Sequence, residues 1–219
     1  MASSNRKEME VIPLNKRLKT SLASLQNHPP QIIGEGEWKN YAILLPLIPD
    51  GKGEFSLLFE VRASHLKTQP GEISFPGGAI EDGESPAEAA IRETGEELLL
   101  SPHQVHILAH PYTYVSTYGR KIDCFLGLLE GYGETFSTDE VDRIFTIPLE
   151  ALAHLEAKVY RSQVREFPEE SFPYEDIPGG RNYPFIEGES ITPFFYWEGK
   201  TIWGLTGRIL KQLQKDLSI

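Results

Sequence analysis

The sequence predicts an α/β or α+β domain whose strands form a mixed β-sheet. Apolar runs of strand length are interleaved with a few segments of helical periodicity, and no internal repeat is present. A length of 219 residues suits one sizeable domain, and 40% hydrophobic with 24% charged residues is typical of a globular protein. No apolar stretch reaches the roughly 18 residues that a transmembrane helix needs, so no membrane partner is expected.

The N-terminal segment predicts a short amphipathic helix. Leucines recur there at helical spacing, at Leu14, Leu18, Leu22 and Leu25. The helix is expected over 14–26 and ends before Pro29, because proline cannot continue it. We expect residues 1–30 to form an N-terminal helical extension and residues 31–219 to form the main domain.

A hairpin is predicted at the start of the main domain. The apolar runs Tyr41–Ile48 and Phe55–Val61 have the length of strands, and the turn residues Asp50–Gly53 join them. A loop rich in glycine and proline then spans Pro70–Gly83 and leads into a helix at Ser85.

Shorter patterns predict the elements that follow this helix. Strands are expected at Val105–Ala109, Tyr112–Val115 and Ile122–Leu129, helices at Leu149–Leu155 and Thr206–Leu217, and a late hairpin at Phe194–Trp197 and Thr201–Trp203. The segment Pro168–Gly188 is rich in proline, glycine and charge, which predicts a long surface loop.

Composition excludes several classes of protein. A formal net charge of −11 argues against a broad basic surface that grips nucleic acid, so no nucleic-acid partner is expected. The single cysteine, Cys124, rules out an internal disulfide framework and a cysteine-based zinc cluster. Residues 1–15 lack the apolar stretch of a secretory signal, so we expect a cytoplasmic location.

The helix that begins at Ser85 carries a cluster of carboxylates. Ser85 can cap its N-terminus and Glu88 can complete a capping box. Spacings of three and four place Glu93, Glu96 and Glu97 together on its surface. An acidic solvated face is one interpretation. The other is a site for Mg²⁺ or Mn²⁺, which prefer carboxylate oxygens.

The preceding loop favours the metal site. Phe75, Pro76, Gly77 and Gly78 allow the backbone to approach closely at the mouth of the same helix. A backbone carbonyl in this loop could be a further oxygen ligand. The glycine pair alone would predict only a turn, so the inference depends on the loop and helix together.

Residues Gly78 to Leu100 resemble the Nudix box, G-x5-E-x7-R-E-U-x-E-E-x-G-U, in which U is an apolar residue. Its charged positions are matched at the family's spacing by Glu84, Arg92, Glu93, Glu96 and Glu97. Thr94 stands where an aliphatic residue is common, and Leu99 replaces the terminal glycine. Neither departure removes a charged position.

This resemblance implies a Nudix hydrolase domain over 31–219, with an α/β/α sandwich around a mixed sheet. It implies Glu93 and Glu97 as principal metal ligands, Glu96 as a further ligand or the group that activates water, and the Gly77 carbonyl as completing the site. Arg92 would orient the glutamates, and Glu84 would anchor the loop or reach a metal through water. Glu140, in a later loop, is the other candidate for the catalytic base; an ordinary surface position is the alternative.

Upstream residues narrow the implied substrate. The segment from Leu57 through Gly78 is similar to the signature of coenzyme A diphosphatases, which split coenzyme A into adenosine 3′,5′-bisphosphate and 4′-phosphopantetheine. Arg62 and Lys67 are the candidate substrate-binding cations, although a solvated strand end is an alternative for both. Lys67 stands where the subgroup typically has arginine, and the interval from Gly78 to Arg92 lacks an extra residue that subgroup members often carry.

These two departures leave alternatives open. One is another nucleoside diphosphate, such as ADP-ribose or a dinucleotide. A second is a non-catalytic module that senses a nucleotide, although the retained box glutamates argue against it. Aromatic side chains at Tyr196, Trp197 and Trp203 could stack on adenine but are more typical of core, and His65 is expected to have a hydrogen-bonding or surface role. The resemblance also implies a possible homodimer.

Overall fold

The computed structural model describes residues 16–26, 29 and 32–217. The chain divides into two compact units, Met1–Trp38 and Lys39–Ile219. In the first unit helix α1 spans Lys16–Gln26, which confirms the N-terminal helix, while Leu14 lies outside the described residues. The predicted domain boundary after residue 30 stays a prediction.

The second unit contains ten strands and three α-helices among its described residues. They are β1 Lys39–Pro49, β2 Phe55–Arg62, β3 Ile73–Ser74, β4 Gly77–Ala79, α2 Pro86–Leu98, β5 Val105–Ser116, β6 Arg120–Leu129, β7 Val141–Pro148, α3 Leu149–Ala153, β8 Lys158–Val164, β9 Gly188–Trp197, β10 Lys200–Ile202 and α4 Gly204–Asp216. No helix in the described part of the chain is long and apolar enough to cross a membrane.

The main sheet has seven strands and is mixed, as predicted. Strand β1 lies at its centre, where it runs parallel to β6 and antiparallel to β2 and β4. Strand β5 pairs with β6, and β2 also pairs with β3 and β7. Strands β8, β9 and β10 form a second, antiparallel sheet.

Helices cover both faces of the main sheet. Because side chains alternate along a strand, Ala42 and Leu44 of β1 pack in one apolar cluster with α2. Leu45 and Leu47 belong to the opposite cluster, which contains Leu210 of α4. The resulting α/β/α sandwich confirms the expected fold and packs α2 against β1 and β4.

The structure corrects one strand prediction and adds several strands. Val105–Ala109 and Tyr112–Val115 were expected as two strands, but they belong to the single strand β5, which contains register shifts around Ala109. Strands β3, β4, β7 and β8 were not predicted. The loop expected at Pro168–Gly188 is confirmed as far as β9, with two short 3₁₀ turns as its regular structure.

Candidate functional site

Helix α2 begins with the predicted capping box. The Glu88 N–H donates to Ser85 Oγ at 3.3 Å, and the Ser85 N–H donates to Glu88 Oε2 at 2.7 Å. At the other end Leu99 adopts the left-handed conformation, with φ of 55°, that glycine commonly provides at a helix exit. Thr94 is buried on the packed face. The two departures from the family pattern therefore leave the helix intact.

Glu97 lies beneath residues 75–78, which are called the glycine loop below. Its side chain is buried, and its Oε2 accepts a hydrogen bond from the Gly77 N–H at 2.8 Å. Gly77 has φ of 146°, and a Cβ there would overlap the backbone of Ala42 and Ile43 in β1. Glycine is required because the backbone of Gly77, where β4 pairs with the central strand β1, lies too close to that strand for a side chain.

Arg92 joins the other glutamates of α2 to the loop. Its guanidinium binds both carboxylate oxygens of Glu84, at 2.7 and 3.1 Å, and donates to the Ala79 carbonyl at 3.0 Å. It also donates to Glu93 at 2.8 Å and contacts the exposed Glu96 at 3.5 Å. This arrangement supports the implied roles of Arg92 in orienting the glutamates and of Glu84 in anchoring the loop.

Glu93 lies against the second glycine of the loop. A Cβ on Gly78 would overlap the Glu93 carboxylate, so a side chain at that position would displace it. The structure thus brings Glu93, Glu97 and Gly77 together, as the resemblance implied. Glu96 lies on the exposed side of the helix.

A further buried carboxylate, Glu60, was not among the residues singled out from the sequence. It lies on β2 and is only 1% exposed. Ser74 Oγ donates to its Oε1 at 3.0 Å, while Oε2 has no hydrogen-bond partner among the described residues. The only signal in the sequence is a single charged residue within the apolar run Leu57–Val61.

Burial and mutual repulsion raise the pKa values of this group. Burial raises the pKa of Glu60 to about 7, against weaker opposing effects of Ser74 and Arg62. Burial and then the charge of Glu60 hold the pKa of Glu97 well above its usual range. Burial also raises the pKa of Glu93, in opposition to Arg92. The Glu140 carboxylate adds repulsion to all three groups, which shows that it belongs to the same cluster.

The loop that carries Glu140 is fastened at both ends. The Ser137 N–H donates to the Glu97 carbonyl at 2.7 Å, which ties the loop to the end of α2. The Ala63 N–H donates to the Glu140 carbonyl at 2.8 Å, and His65 Nε2 lies 3.0 Å from the Asp139 carbonyl oxygen. These bonds confirm a hydrogen-bonding role for His65 and fix Glu140 relative to both β2 and α2.

A cleft of about 490 Å³ opens over the glycine loop. Glu93 and Glu140 line it together with two arginines, Arg62 and Arg120. Arg120 begins β6, stacks over the Tyr41 ring at 5.9 Å and was missed from the sequence. The other predicted cation, Lys67, is exposed and is not part of the cleft lining. Its role in substrate binding stays a prediction.

The late aromatic residues do not line this cleft. Trp203 stacks on Phe194 with ring centroids 5.5 Å apart, and Trp197 packs against the core. Tyr196 is partly exposed beside Lys158. For Trp197 the core interpretation is confirmed.

The donor set fits a hard divalent cation. Carboxylate oxygens are the ligands that Mg²⁺ and Mn²⁺ prefer, and a cation would relieve the repulsion between the buried glutamates. In the described residues no three acidic, histidine or cysteine groups are already arranged around a common point for a metal ion. Glu97 and Glu93 are instead engaged by the Gly77 N–H and by Arg92.

Comparisons with known proteins agree with this geometry. A family model described as the NUDIX domain matches residues 39–170, more than half of the chain. Mouse (Mus musculus) peroxisomal coenzyme A diphosphatase NUDT7 is 34% identical over 154 residues, which cover 68% of this chain and 64% of that protein. The match thus spans less than two thirds of the mouse protein. Caenorhabditis elegans Nudix hydrolase 3 is 27% identical over 84% of this chain and 75% of its own length.

A bacterial relative matches over a greater length. The Escherichia coli Nudix hydrolase NudL is 26% identical over 90% of this chain and 93% of its own length. The family model matches the part of the second unit that contains the buried glutamates and the glycine loop above them. The chain therefore belongs to the Nudix hydrolase family.

Proposed function

We propose that this protein hydrolyses the diphosphate bond of coenzyme A or its thioesters, giving adenosine 3′,5′-bisphosphate and 4′-phosphopantetheine or its acyl form. The observation that carries the proposal is the cleft that two arginines, Arg62 and Arg120, line together with Glu93 and Glu140. The name of the mouse relative, a coenzyme A diphosphatase, supports the choice of substrate.

The arginines account for binding of a polyanion by a protein of net charge −11. Arg62 lies at the end of β2 and Arg120 at the start of β6, so they approach the cleft from different strands. Coenzyme A carries a 3′-phosphate besides its diphosphate, and two separated guanidinium groups can engage two separated anionic groups.

The glutamates supply the cation site and the base. Glu93, Glu97 and the Gly77 carbonyl would hold Mg²⁺ or Mn²⁺, with Glu96 as a further candidate ligand. When bound, such a cation neutralises the diphosphate and activates the attacking water. Arg92 keeps Glu93 in place through its contact at 2.8 Å. Glu140 is favoured over Glu96 as proton acceptor because Glu140 lines the cleft, whereas Glu96 is 61% exposed.

A substrate panel tests the proposal. Coenzyme A, 3′-dephospho-coenzyme A, ADP-ribose and a dinucleoside polyphosphate would be incubated with Mg²⁺ or Mn²⁺, and products separated by chromatography. We expect release of adenosine 3′,5′-bisphosphate from coenzyme A. Absence of turnover of every substrate with either metal would contradict the proposal that the protein is an enzyme. Preference for ADP-ribose would contradict only the proposal that coenzyme A is the substrate.

Variants of the two cleft arginines sharpen this test. Arg62→Ala and Arg120→Ala should each raise KM for coenzyme A by about tenfold, since a hydrogen bond to a charged group contributes about 1.5 kcal/mol. Arg161→Ala is the matched control, because Arg161 is an exposed cation of β8 that pairs with Glu189 outside the cleft. An unchanged KM in both cleft variants would remove these side chains from the substrate site.

The alternative is another nucleoside diphosphate. The observation that favours it is the position of Lys67, which is exposed and outside the cleft lining although the subgroup signature places a basic residue there. A protein that lacks this contact could accept a substrate without the 3′-phosphate. A non-catalytic sensor is less well supported, because the cation-binding and candidate base residues are all present.

Three broader predictions accompany the proposed activity. They are a helical extension over residues 1–30, a cytoplasmic location and a homodimer. The mouse relative is named as peroxisomal, so fractionation of cells that express the protein is the direct test of location. Light scattering of the purified protein would test the homodimer.

A further inference from the structure

Glu60 is the buried charged group that the proposed activity leaves unexplained. Its side chain is 1% exposed on a strand whose neighbouring residues Leu57, Leu58 and Phe59 are fully buried. Ser74 holds one carboxylate oxygen, Oε1, and among the described residues the other oxygen has no partner. A buried carboxylate oxygen without a partner destabilises a fold unless another group compensates it.

The charged groups around Glu60 do not provide that compensation. Glu97 and Glu140 have the same sign as Glu60 and repel it. Arg62 is a nearby cation, but its attraction is smaller than the effect of burial. With these carboxylates ionised, the region beneath the glycine loop would hold an excess of buried negative charge, which a divalent cation would balance.

We propose that Glu60 is an additional cation-binding carboxylate of this site, using Oε2 to hold a divalent cation together with Glu97. The inference rests on the proposed function in so far as the site must bind a divalent cation. The inference goes beyond the proposed function because Glu60 lies on β2, outside the Nudix box. It extends the donor set to the strand beneath the helix.

Ser74 has a positioning role in this arrangement. Its hydroxyl donates to Oε1 at 3.0 Å, which orients the Glu60 carboxylate and leaves Oε2 available. Strand β3 pairs Ser74 directly with Glu60, so the backbone fixes the hydroxyl at this place. Hydrogen bonds of this kind commonly orient metal-binding carboxylates, and their loss reduces metal affinity by about 10- to 100-fold.

Binding of Mn²⁺ to the substrate-free protein tests the inference. Free Mn²⁺ would be measured by electron paramagnetic resonance at fixed pH for the wild type, Glu60→Gln and Glu97→Gln. We expect Glu60→Gln to weaken Mn²⁺ binding at least about tenfold. Because the amide removes a buried charge, the Tm of the metal-free variant should equal or exceed that of the wild type, while the rise in Tm caused by Mn²⁺ should shrink.

Asp123→Asn is the matched control. Asp123 is 4% exposed and also lies on the main sheet, but Thr113 Oγ1 donates to it at 2.7 Å and His110 Nε2 lies 3.1 Å away. This variant should lower the Tm of the metal-free protein and leave Mn²⁺ affinity unchanged.

The outcomes separate this inference from the proposed function. Wild-type Mn²⁺ affinity in Glu60→Gln, with Glu97→Gln impaired, would overturn the role of Glu60 alone. Absence of Mn²⁺ binding by the wild type would overturn both the role of Glu60 and the cation site of the proposed function. If Glu60→Gln does not fold, Ser74→Ala keeps the carboxylate and removes the hydroxyl that orients it, and unchanged affinity in that variant would overturn the inference.

Discussion

Glu60 and Asp123 are two buried carboxylates on the same sheet with opposite surroundings. By strand alternation each shares the α2 side of the sheet with an apolar neighbour, Leu58 or Phe125. Asp123 has a hydroxyl donor and a histidine as partners, whereas Glu60 has an oxygen without a partner in the described part of the chain and two carboxylates that repel it. A satisfied buried carboxylate contributes to the fold, whereas the unsatisfied oxygen of Glu60 is the group that the proposed cation would compensate.

The largest expected effect is on catalytic activity, and it distinguishes the cluster of Glu60 and Glu97 from the surroundings of Asp123. Glu97→Gln should reduce kcat by at least about 100-fold, because it removes a negative charge from the cation site, where loss of even a supporting group costs about 10- to 100-fold in metal affinity or activity. The amide oxygen can still accept the bond from the Gly77 N–H, so circular dichroism should show an intact fold. Near-normal kcat in Glu97→Gln, or an equal loss of kcat in Asp123→Asn, would contradict this distinction between the two regions.

The next effect concerns stability in metal-free protein. Burial raises the pKa of Glu60 from 4.5 to about 7, so the folded state keeps its proton at pH values where the unfolded state has lost it. The unfolded state therefore binds fewer protons in this window, and stability falls as pH rises from about 4.5 to about 7. The loss attributable to Glu60 is on the order of 3 kcal/mol.

Urea unfolding at several pH values with a chelator present measures this effect. The difference between the wild type and Glu60→Gln isolates the contribution of Glu60 from the other titrating groups. The variant should have the flatter dependence of unfolding free energy on pH. Parallel curves for the two proteins would show that burial of Glu60 carries no such penalty.

The smallest expected effect concerns the satisfied carboxylate. Thr113→Val removes the hydroxyl that donates to Asp123 at 2.7 Å and should lower the free energy of unfolding by about 1 kcal/mol. Thr113→Ser retains the hydroxyl and is the control. Turnover should be unchanged in both Thr113 variants, because Thr113 and Asp123 do not line the cleft. A loss of turnover in Thr113→Val alone would mean that Asp123 also serves the active site.

The features predicted from the sequence depend on contacts that are local in the chain. The capping box joins Ser85 to Glu88, three residues apart, and one helix surface brings Arg92 close to Glu93 and Glu96. The hairpin between β1 and β2 likewise depends on a turn of adjacent residues. Spacing is sufficient evidence for such features because helix and turn geometry are nearly constant.

The features that were missed depend on pairing between distant segments. Glu60 interrupts the apolar run from Leu57 to Val61, and the sequence does not show whether such a residue is buried or lies on a solvated edge. Arg120 reaches the cleft because β6 runs parallel to β1, with Arg120 opposite Lys39. Strands β3 and β4 pair with β2 and β1 across loops, and the glycine and proline residues in and around them predict turns.

The anchored loop before β7 also indicates where related proteins can change in length. Residues 135–140 are bonded to α2 through Thr135 and Ser137 and to the end of β2 through Glu140. An insertion there would have to break these bonds or carry Glu140 out of the cleft. The segment between β8 and β9 has only short 3₁₀ turns as regular structure and can absorb added residues more readily. Insertions that distinguish family members are therefore expected between β8 and β9, while residues 135–140 keep a constant length.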